Sequence, residues 1–343
     1  MPDKETIRRR ALQLVTTDAH GVAGRLASEF GFSRQTANIH LQALVDEGQI
    51  EGEGSTRARV YRLAILREEA RSYPRGDLRE DVVWREVFVP VVGDLPENVR
   101  DIWHYGVTEM VNNAIDHSGS AEVHVGVRRN AVYTDAWVAD DGEGIFLKIQ
   151  RALHLYDPRE AILELAKGKL TTDPARHSGE GIFFASKVFE GFDILSGRLH
   201  YMHDQDALDM LAERPADAPG TLVSMRLANH SRRTAKSVFD EFAAPEEYTF
   251  AKTLVPVRLA QYGGEKLMSR SQAKRLYQRF ERFRDVVLDF DGVAEIGQAF
   301  ADELFRVFVN GHPEVTLAPI HMTKAVSQMV SRARAGADSS GPT

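Results

Sequence analysis

The chain has no cysteine, which removes disulfides, thiolate catalysis, cysteine-ligated zinc and iron–sulfur clusters together. It also lacks a basic excess. Lys+Arg total 43 against 50 Asp+Glu, a formal net charge of −7, so any contact with DNA must come from a local patch. No apolar run approaches the roughly 18 residues that a membrane-spanning helix needs. The opening MPDKETIRRR carries charge but no apolar stretch of the kind that marks a secretory signal. A cytoplasmic protein without membrane association is therefore the expectation. What is present is ordinary for a globular chain: 343 residues, 43% hydrophobic and 27% charged. That length allows two or three domains at roughly 100–200 residues each.

Composition divides the chain into blocks without an internal repeat. Residues 1–66 read as helices followed by a short basic ribbon. Residues 67–80, charged and broken by Pro74 and Gly76, read as a linker. Residues 81–250 alternate helices with strands and hold most of the glycine-rich segments. Residues 251–334 read strand, helix, strand, helix, strand, helix. Residues 335–343 are small and polar, as in a disordered tail.

In the first block, Val22, Leu26, Ala27 and Phe30 share a helix face, and Ser33 is placed to cap the next helix. That helix buries Ala37, Leu41, Leu44 and Val45 and turns Arg34, Gln35, Asn38 and Gln42 outward, residue types that reach base edges and phosphates. Two strands around Gly52 and Gly54 follow, with Arg57, Arg59 and Arg62 in or beside the second. The segment resembles a winged helix-turn-helix domain. Such a unit can also mediate protein contacts, but arginines where helix and wing would meet phosphates favour double-stranded DNA. Arg34, Gln35, Asn38, Arg57 and Arg59 are the candidate DNA-binding residues. A unit this small binds weakly alone, so a homodimer on a two-part site is expected.

The middle block carries four short motifs. A helix from about Gly93 to His117 has an apolar stripe through Val99, Trp103, Val107, Met110, Val111 and Ala114. Glu109 and Asn113 fall on the other face, about 40° apart around the helix. A carboxylate beside an amide suits a water and a hard cation such as Mg²⁺, although taken alone the pair also fits a solvated face. A strand then runs into Asp140-Asp141-Gly142-Glu143-Gly144, an acceptor followed by glycines that let backbone approach a ligand. The stretch from Phe146 to Ser178, with Lys167, Lys169 and Arg176, is long enough to be a lid. Gly179 and Gly181 then precede a helix, whose exposed N–H groups suit phosphate. Gly220-Thr221 begins another strand.

The order E-x-x-x-N, D-x-G-x-G, G-x-G before a helix, then G-T on a strand resembles the GHKL ATP-binding superfamily of gyrase, heat-shock chaperone ATPases, histidine kinases and mismatch-repair ATPases. The resemblance implies ATP and Mg²⁺ as cofactors. It assigns Asp140 to the adenine amino group, supported by Thr221 through a shared water, and Gly142 and Gly144 to the adenine pocket. It gives Gly179 and Gly181 the phosphates, Asn113 the Mg²⁺, and Glu109 the role of general base. It also implies an α/β sandwich whose mixed sheet is covered by helices on one face. There is no helix with a phosphoacceptor histidine, and His104 lies inside the long helix, which argues against a histidine kinase. EMVNNAIDHS looks closer to anti-sigma-factor serine kinases and gyrase-type ATPases.

The last block, with SQAKRLYQRFERF, DVVLDF and DGVAEIGQAFADELFRVF, resembles a STAS domain. The turn Ile296-Gly297-Gln298-Ala299-Phe300 has no hydroxyl where phosphorylated antagonists carry serine, so a protein-interaction or self-association module is expected. The overall expectation is α/β in fold class (α+β multidomain): winged helix, GHKL (Bergerat) sandwich, STAS-like domain. Functionally it is a prokaryotic regulator whose ATP switch controls DNA binding. Alternatives are an anti-sigma-type serine/threonine kinase acting on a separate partner, and a transcriptional regulator for which nucleotide is only an effector.

Overall fold

The computed structural model describes residues 3–54, 59–170, 179–205, 208–243, 250–261 and 265–338. In the N-terminal unit, α1 (Lys4–Thr17), α2 (Val22–Phe30), α3 (Arg34–Asp46) and the antiparallel ribbon β1 (Ile50–Glu53) and β2 (Val60–Leu63) close around Ile7, Ala11, Leu26, Leu41 and Tyr61. Local chemistry sets the helix starts. Asp3 accepts from the Thr6 N–H at 2.8 Å, and Ser33 accepts from the Thr36 N–H at 3.1 Å. Gly31, with φ +72°, ends α2 in the left-handed conformation that L-residues avoid.

Residues 67–74, expected as part of a linker, instead form β3 (Arg67–Pro74), paired antiparallel with the next strand from Arg67 opposite Arg129 to Pro74 opposite Glu122. The charges that suggested a linker suit an edge strand, where they face water and deter pairing with other chains. A kinked helix follows, made of α4 (Glu80–Val83), a π-helical run Trp84–Phe88 and α5 (Val89–Val92). The long α6 (Glu97–His117) starts after Pro96 and buries the apolar stripe read from the sequence.

Strands β4 (Glu122–Arg129) and β5 (Tyr133–Asp140) form a hairpin whose turn is closed by Asn130, its Oδ1 accepting from the Val132 and Tyr133 N–H groups. After α7 (Ile145–Leu153), α8 (Arg159–Lys167) and α9 (Gly181–Val188) come the long strands β6 (Gly191–Asp204) and β7 (Met210–Ala228), then α10 (Ala235–Phe242). The five strands run in the order β3-β4-β5-β7-β6, and every pairing is antiparallel. The expected mixed sheet is thus corrected: β6 lies at the edge beside β7 and touches no strand running its own way. One face carries Val123, Val125, Val127, Ala136, Val138, Ile194, Met225 and Leu227 against the helices. The other face carries polar pairs such as Arg226 with Asp135 at 2.5 Å, the alternation expected of a sheet wetted on one side.

The C-terminal block alternates as read: β8 (Lys252–Pro256), α11 (Arg270–Tyr277), β9 (Asp285–Asp289), α12 (Gln298–Asp302), whose axis continues through a π-helical run Glu303–Phe308 and α13 (Val309–Gly311), then β10 (Thr316–Ile320) and α14 (Lys324–Asp338). Its three strands are parallel in the order β10-β9-β8. α14 extends to Asp338, four residues into the segment expected as a tail; residues 339–343 lie outside the described residues. The middle and C-terminal blocks share one continuous core, separate from that of the N-terminal unit. Helix α8 is the shared element, with every residue from Glu160 to Lys167 buried.

If residues 67–74 form a paired strand, their ladder amides will exchange with solvent on the timescale of the β4 amides in native-state hydrogen exchange. Exchange within seconds across the whole segment would restore the linker reading.

Candidate functional site

The site starts where β5 ends. Asp140 lies opposite Thr221 in the β5–β7 register. The two strands approach closely because Gly220 precedes Thr221: a Cβ at Gly220 would fall 1.8 Å from the Asp140 carbonyl oxygen, and its φ of +67° suits only glycine. The Asp140 carboxylate accepts from the Gly142 N–H at 2.9 Å. A Cβ at Gly142 would lie 2.0 Å from the Ser118 carbonyl oxygen, so the loop returns directly over the end of α6. Gly144, φ +89°, begins α7, and Thr221 Oγ1 accepts from the Ile145 N–H at 3.0 Å. Ser196 Oγ donates to the Gly220 carbonyl at 2.8 Å and fixes the β6–β7 side of the turn.

The facing wall is α6. Glu109 and Asn113 project one turn apart into the space above the sheet, as their spacing required. The start of α9 comes against them: a Cβ at Gly181 would sit 2.0 Å from Glu109 Oε2. Gly179, φ +74°, accepts from the Leu170 N–H at 2.9 Å. Glu109, Asn113, Asp140, Gly144, Gly179, Gly181 and Thr221 all line one cavity of about 280 Å³. Gly142 does not line it, and acts instead by holding the Asp140 carboxylate. Leu165, Val138 and Ile182 give the cavity apolar walls. It therefore has an apolar slot with one half-buried acceptor at the Asp140 end, and a carboxylate, an amide and a helix N-terminus at the other.

Burial raises the Asp140 carboxyl above the usual aspartate range, with the Gly142 and Thr221 N–H groups and the Lys148 charge pulling the other way. Lys148 was not singled out from the sequence. It lines the cavity and donates to the His117 carbonyl at 2.5 Å. Its signal was its place in the first turn of the helix opened by Gly144. Tyr105, one turn before Glu109, is held strongly neutral by burial and by the Glu109 and Glu180 charges.

The segment read as a long loop is instead largely helical over its described residues. Residues 145–167 are two packed helices, because their apolar residues repeat at helical spacing and find partners on both sides. Lys167 is completely buried, paired with Glu164 at 2.5 Å. Lys169 donates to the Arg282 carbonyl at 2.8 Å. Arg176 lies outside the described residues.

In the N-terminal unit, Arg34, Gln35 and Asn38 are exposed together on α3, beside Ile39, which is 64% exposed. Arg59 is half-buried between wing and helix, lying over the Tyr61 ring and donating to Gln42 Oε1 at 3.3 Å. Arg57 lies outside the described residues.

Residues 272–327 match the family described as a STAS-like domain of unknown function (DUF4325). The matched stretch runs from within α11 into α14, so the C-terminal block contains a STAS-like domain. No curated protein matches the chain. Among the described residues no helix is long and apolar enough to cross a membrane.

Replacing Asp140 by Asn tests the geometry without any ligand. Asn keeps an oxygen for the Gly142 N–H but removes a buried charge. A carboxyl whose folded pKa is raised stabilises the fold below its unfolded pKa, and that stability is lost as pH rises through the folded value. Asp140→Asn should therefore raise the melting temperature at pH 7, with the gain shrinking as pH falls towards 4. A variant that melts lower at pH 7 would contradict the burial.

Proposed function

We propose that the protein is an ATP-binding regulator acting in the cytoplasm, slowly hydrolysing ATP, in which a GHKL-type nucleotide site controls a DNA-binding winged helix and a STAS-like interaction domain. The observation that carries the reading is the convergence of Glu109, Asn113, Asp140, Gly179, Gly181 and Thr221, spread over more than a hundred positions, on one cavity. Its two ends differ as an adenine and a triphosphate differ. Asp140, half-buried beside apolar walls, is an acceptor for an exocyclic amine. At the other end Gly181 lets the start of α9 come against Glu109, where a Cβ would lie 2.0 Å from Oε2.

The donor set also fits a magnesium nucleotide. Among the described residues no three His, Asp or Glu side chains gather to hold a metal unaided, so a cation here would depend on phosphate oxygens together with the Asn113 amide oxygen. When bound, Mg²⁺ supplies charge neutralisation of the phosphates. Glu109, close against Gly181 at the same end, is placed to take a proton from a water there. The α9 N-terminus contributes N–H groups and the positive end of its dipole.

The winged helix gives this switch an output, with the exposed Arg34, Gln35 and Asn38 meeting double-stranded DNA and two copies of the chain reading a two-part site. The STAS-like domain supplies a surface for a protein partner or for self-association. The turn Ile296-Gly297-Gln298-Ala299-Phe300 carries no hydroxyl, which supports an interaction role over phosphorylation at that turn.

Calorimetry and phosphate release test the reading. Asp140→Asn should weaken ATP binding by about 10- to 100-fold, the loss of a charge-assisted hydrogen bond worth roughly 1.5–3 kcal/mol. Equal affinity in the folded variant would refute the pocket assignment. Glu109→Ala should keep ATP binding and lose turnover; undiminished phosphate release would remove Glu109 as the base. Labelled phosphate appearing on an added protein rather than in solution would replace hydrolysis by kinase transfer. Arg34→Ala combined with Asn38→Ala should lower DNA retention and flatten its salt dependence. Identical retention at every salt concentration would leave the head as a protein-contact unit.

A further inference from the structure

The C-terminal end of α8 is held by the STAS-like block, carbonyl by carbonyl. Thr253 Oγ1 donates to the Lys167 carbonyl at 2.7 Å. Arg279 Nη2 donates to the Gly168 carbonyl at 3.3 Å and also to the Lys169 carbonyl. Arg282 Nη1 adds a bond to the Lys169 carbonyl at 3.2 Å, and Lys169 Nζ returns one to the Arg282 carbonyl at 2.8 Å. The Lys167 carbonyl is one that a helix leaves unpaired at its C-terminus, at the negative end of its dipole, and the Gly168 and Lys169 carbonyls belong to the turn just beyond it.

Both partners in this latch are bent into the left-handed region. Gly168 has φ +79°, Lys169 +50° and Arg279 +68°. The non-glycine residues keep that conformation because the bonds between the two turns hold it. Arg279 is 7% exposed, and its Nη1 donates to Glu164 Oε2 at 2.7 Å. Glu164 also pairs with Lys167, whose ammonium donates to the Gln278 carbonyl at 2.9 Å. Apolar side chains would hold α8 with less desolvation cost. What they would not supply is a planar fork of donors that fixes where particular carbonyls lie.

The next residue belongs to the cavity. Leu170 lines it, and the Leu170 N–H donates to the carbonyl of Gly179, which lines it too. We infer that Arg279 of the STAS-like block is a positioning residue for the cavity, setting Gly168–Leu170 and through them the Gly179 wall, so that the triphosphate end is complete only with that block docked. The inference rests on the nucleotide reading above. It deepens that reading by making the STAS-like block a part of the site rather than a separate appendage.

The test uses the full chain with Arg279→Met and Arg279→Lys. Methionine faces the same left-handed strain as arginine, so the comparison isolates the guanidinium. Hydrogen exchange of the ligand-free protein is read at Leu170 and residues 179–182, with residues 133–142 as the internal reference. Calorimetry measures ATP and adenosine separately. In Arg279→Met, exchange at Leu170 and 179–182 should quicken about tenfold while 133–142 stay unchanged. ATP affinity should fall about tenfold and adenosine affinity should hold, because adenosine does not reach the Gly179 end. Arg279→Lys keeps the charge opposite Glu164 without the fork, and should recover part of the ATP affinity. It carries the same readouts should the methionine variant not fold.

Parallel losses of ATP and adenosine affinity, with exchange faster everywhere, would reduce Arg279 to a structural residue and overturn the inference. Unchanged exchange in a variant that still binds ATP as wild type does would overturn the inference alone. Wild-type protein binding neither ligand would overturn the nucleotide reading and the inference with it.

Discussion

The close approach of β5 and β7 at Gly220 is the constraint on which the site depends. With the Asp140 carbonyl lying where a Gly220 side chain would begin, the two strands lock in register at the edge of the cavity. That lock sets three things together. It buries the Asp140 carboxylate, places Thr221 to receive the Ile145 N–H at the start of α7, and lets Ser196 pin the turn from the next strand. A one-residue slip in β7 would turn Thr221 to the polar face and carry the site away with it. The raised carboxyl pKa reflects the cost of desolvating the charged form in this arrangement.

Antiparallel pairing throughout the five-stranded sheet, against parallel pairing in the three-stranded one, distinguishes the two halves of the shared core. The larger sheet can leave one face wet, and does so with its Arg226–Asp135 pair. Helix α8 resolves the join between them. It has no solvent face over Glu160–Lys167, which is unusual for an eight-residue segment containing glutamates and a lysine. Its charges are accommodated because Arg275 on the opposing α11 and Arg279 in the turn that follows it are matched to Glu160 and Glu164 on α8. Charge pairing of this kind fixes the register between two elements more sharply than apolar contact does.

Much of this was legible from residue types and spacing. Ser33 as a cap, the stripe of α6, the pairing of Glu109 with Asn113 on one face and the alternation of the last block all rest on local rules, and local rules survive in the fold. Three features were not legible, for a common reason. Arg67–Pro74 has the composition of a linker, and only the pairing with β4 makes it a strand. Lys167 looked like a mobile cation because its partners, Glu164 aside, lie more than a hundred residues away in α11 and the turn that follows it. The sheet's uniform direction follows from which strands become neighbours, and strand order is not written in any window of sequence. Gly142 shows the intermediate case: the motif assigned it to the pocket, and in the fold it does not line the cavity but holds the Asp140 carboxylate through its N–H.

The joint between the N-terminal head and the rest of the molecule is a single residue long. The Ala64 N–H is bonded to the Gln49 carbonyl of the head, and the Leu66 N–H to the Arg129 carbonyl of β4, which leaves Ile65 alone between two anchored residues. A linker so short transmits rotation instead of absorbing it. The strand it leads into, β3, is separated from β5 by β4 alone, and β5 ends at Asp140. The head and the end of β5 at Asp140 are thus joined through one residue, Ile65, and two antiparallel ladders, where the charged composition of residues 67–80 had suggested a loose tether.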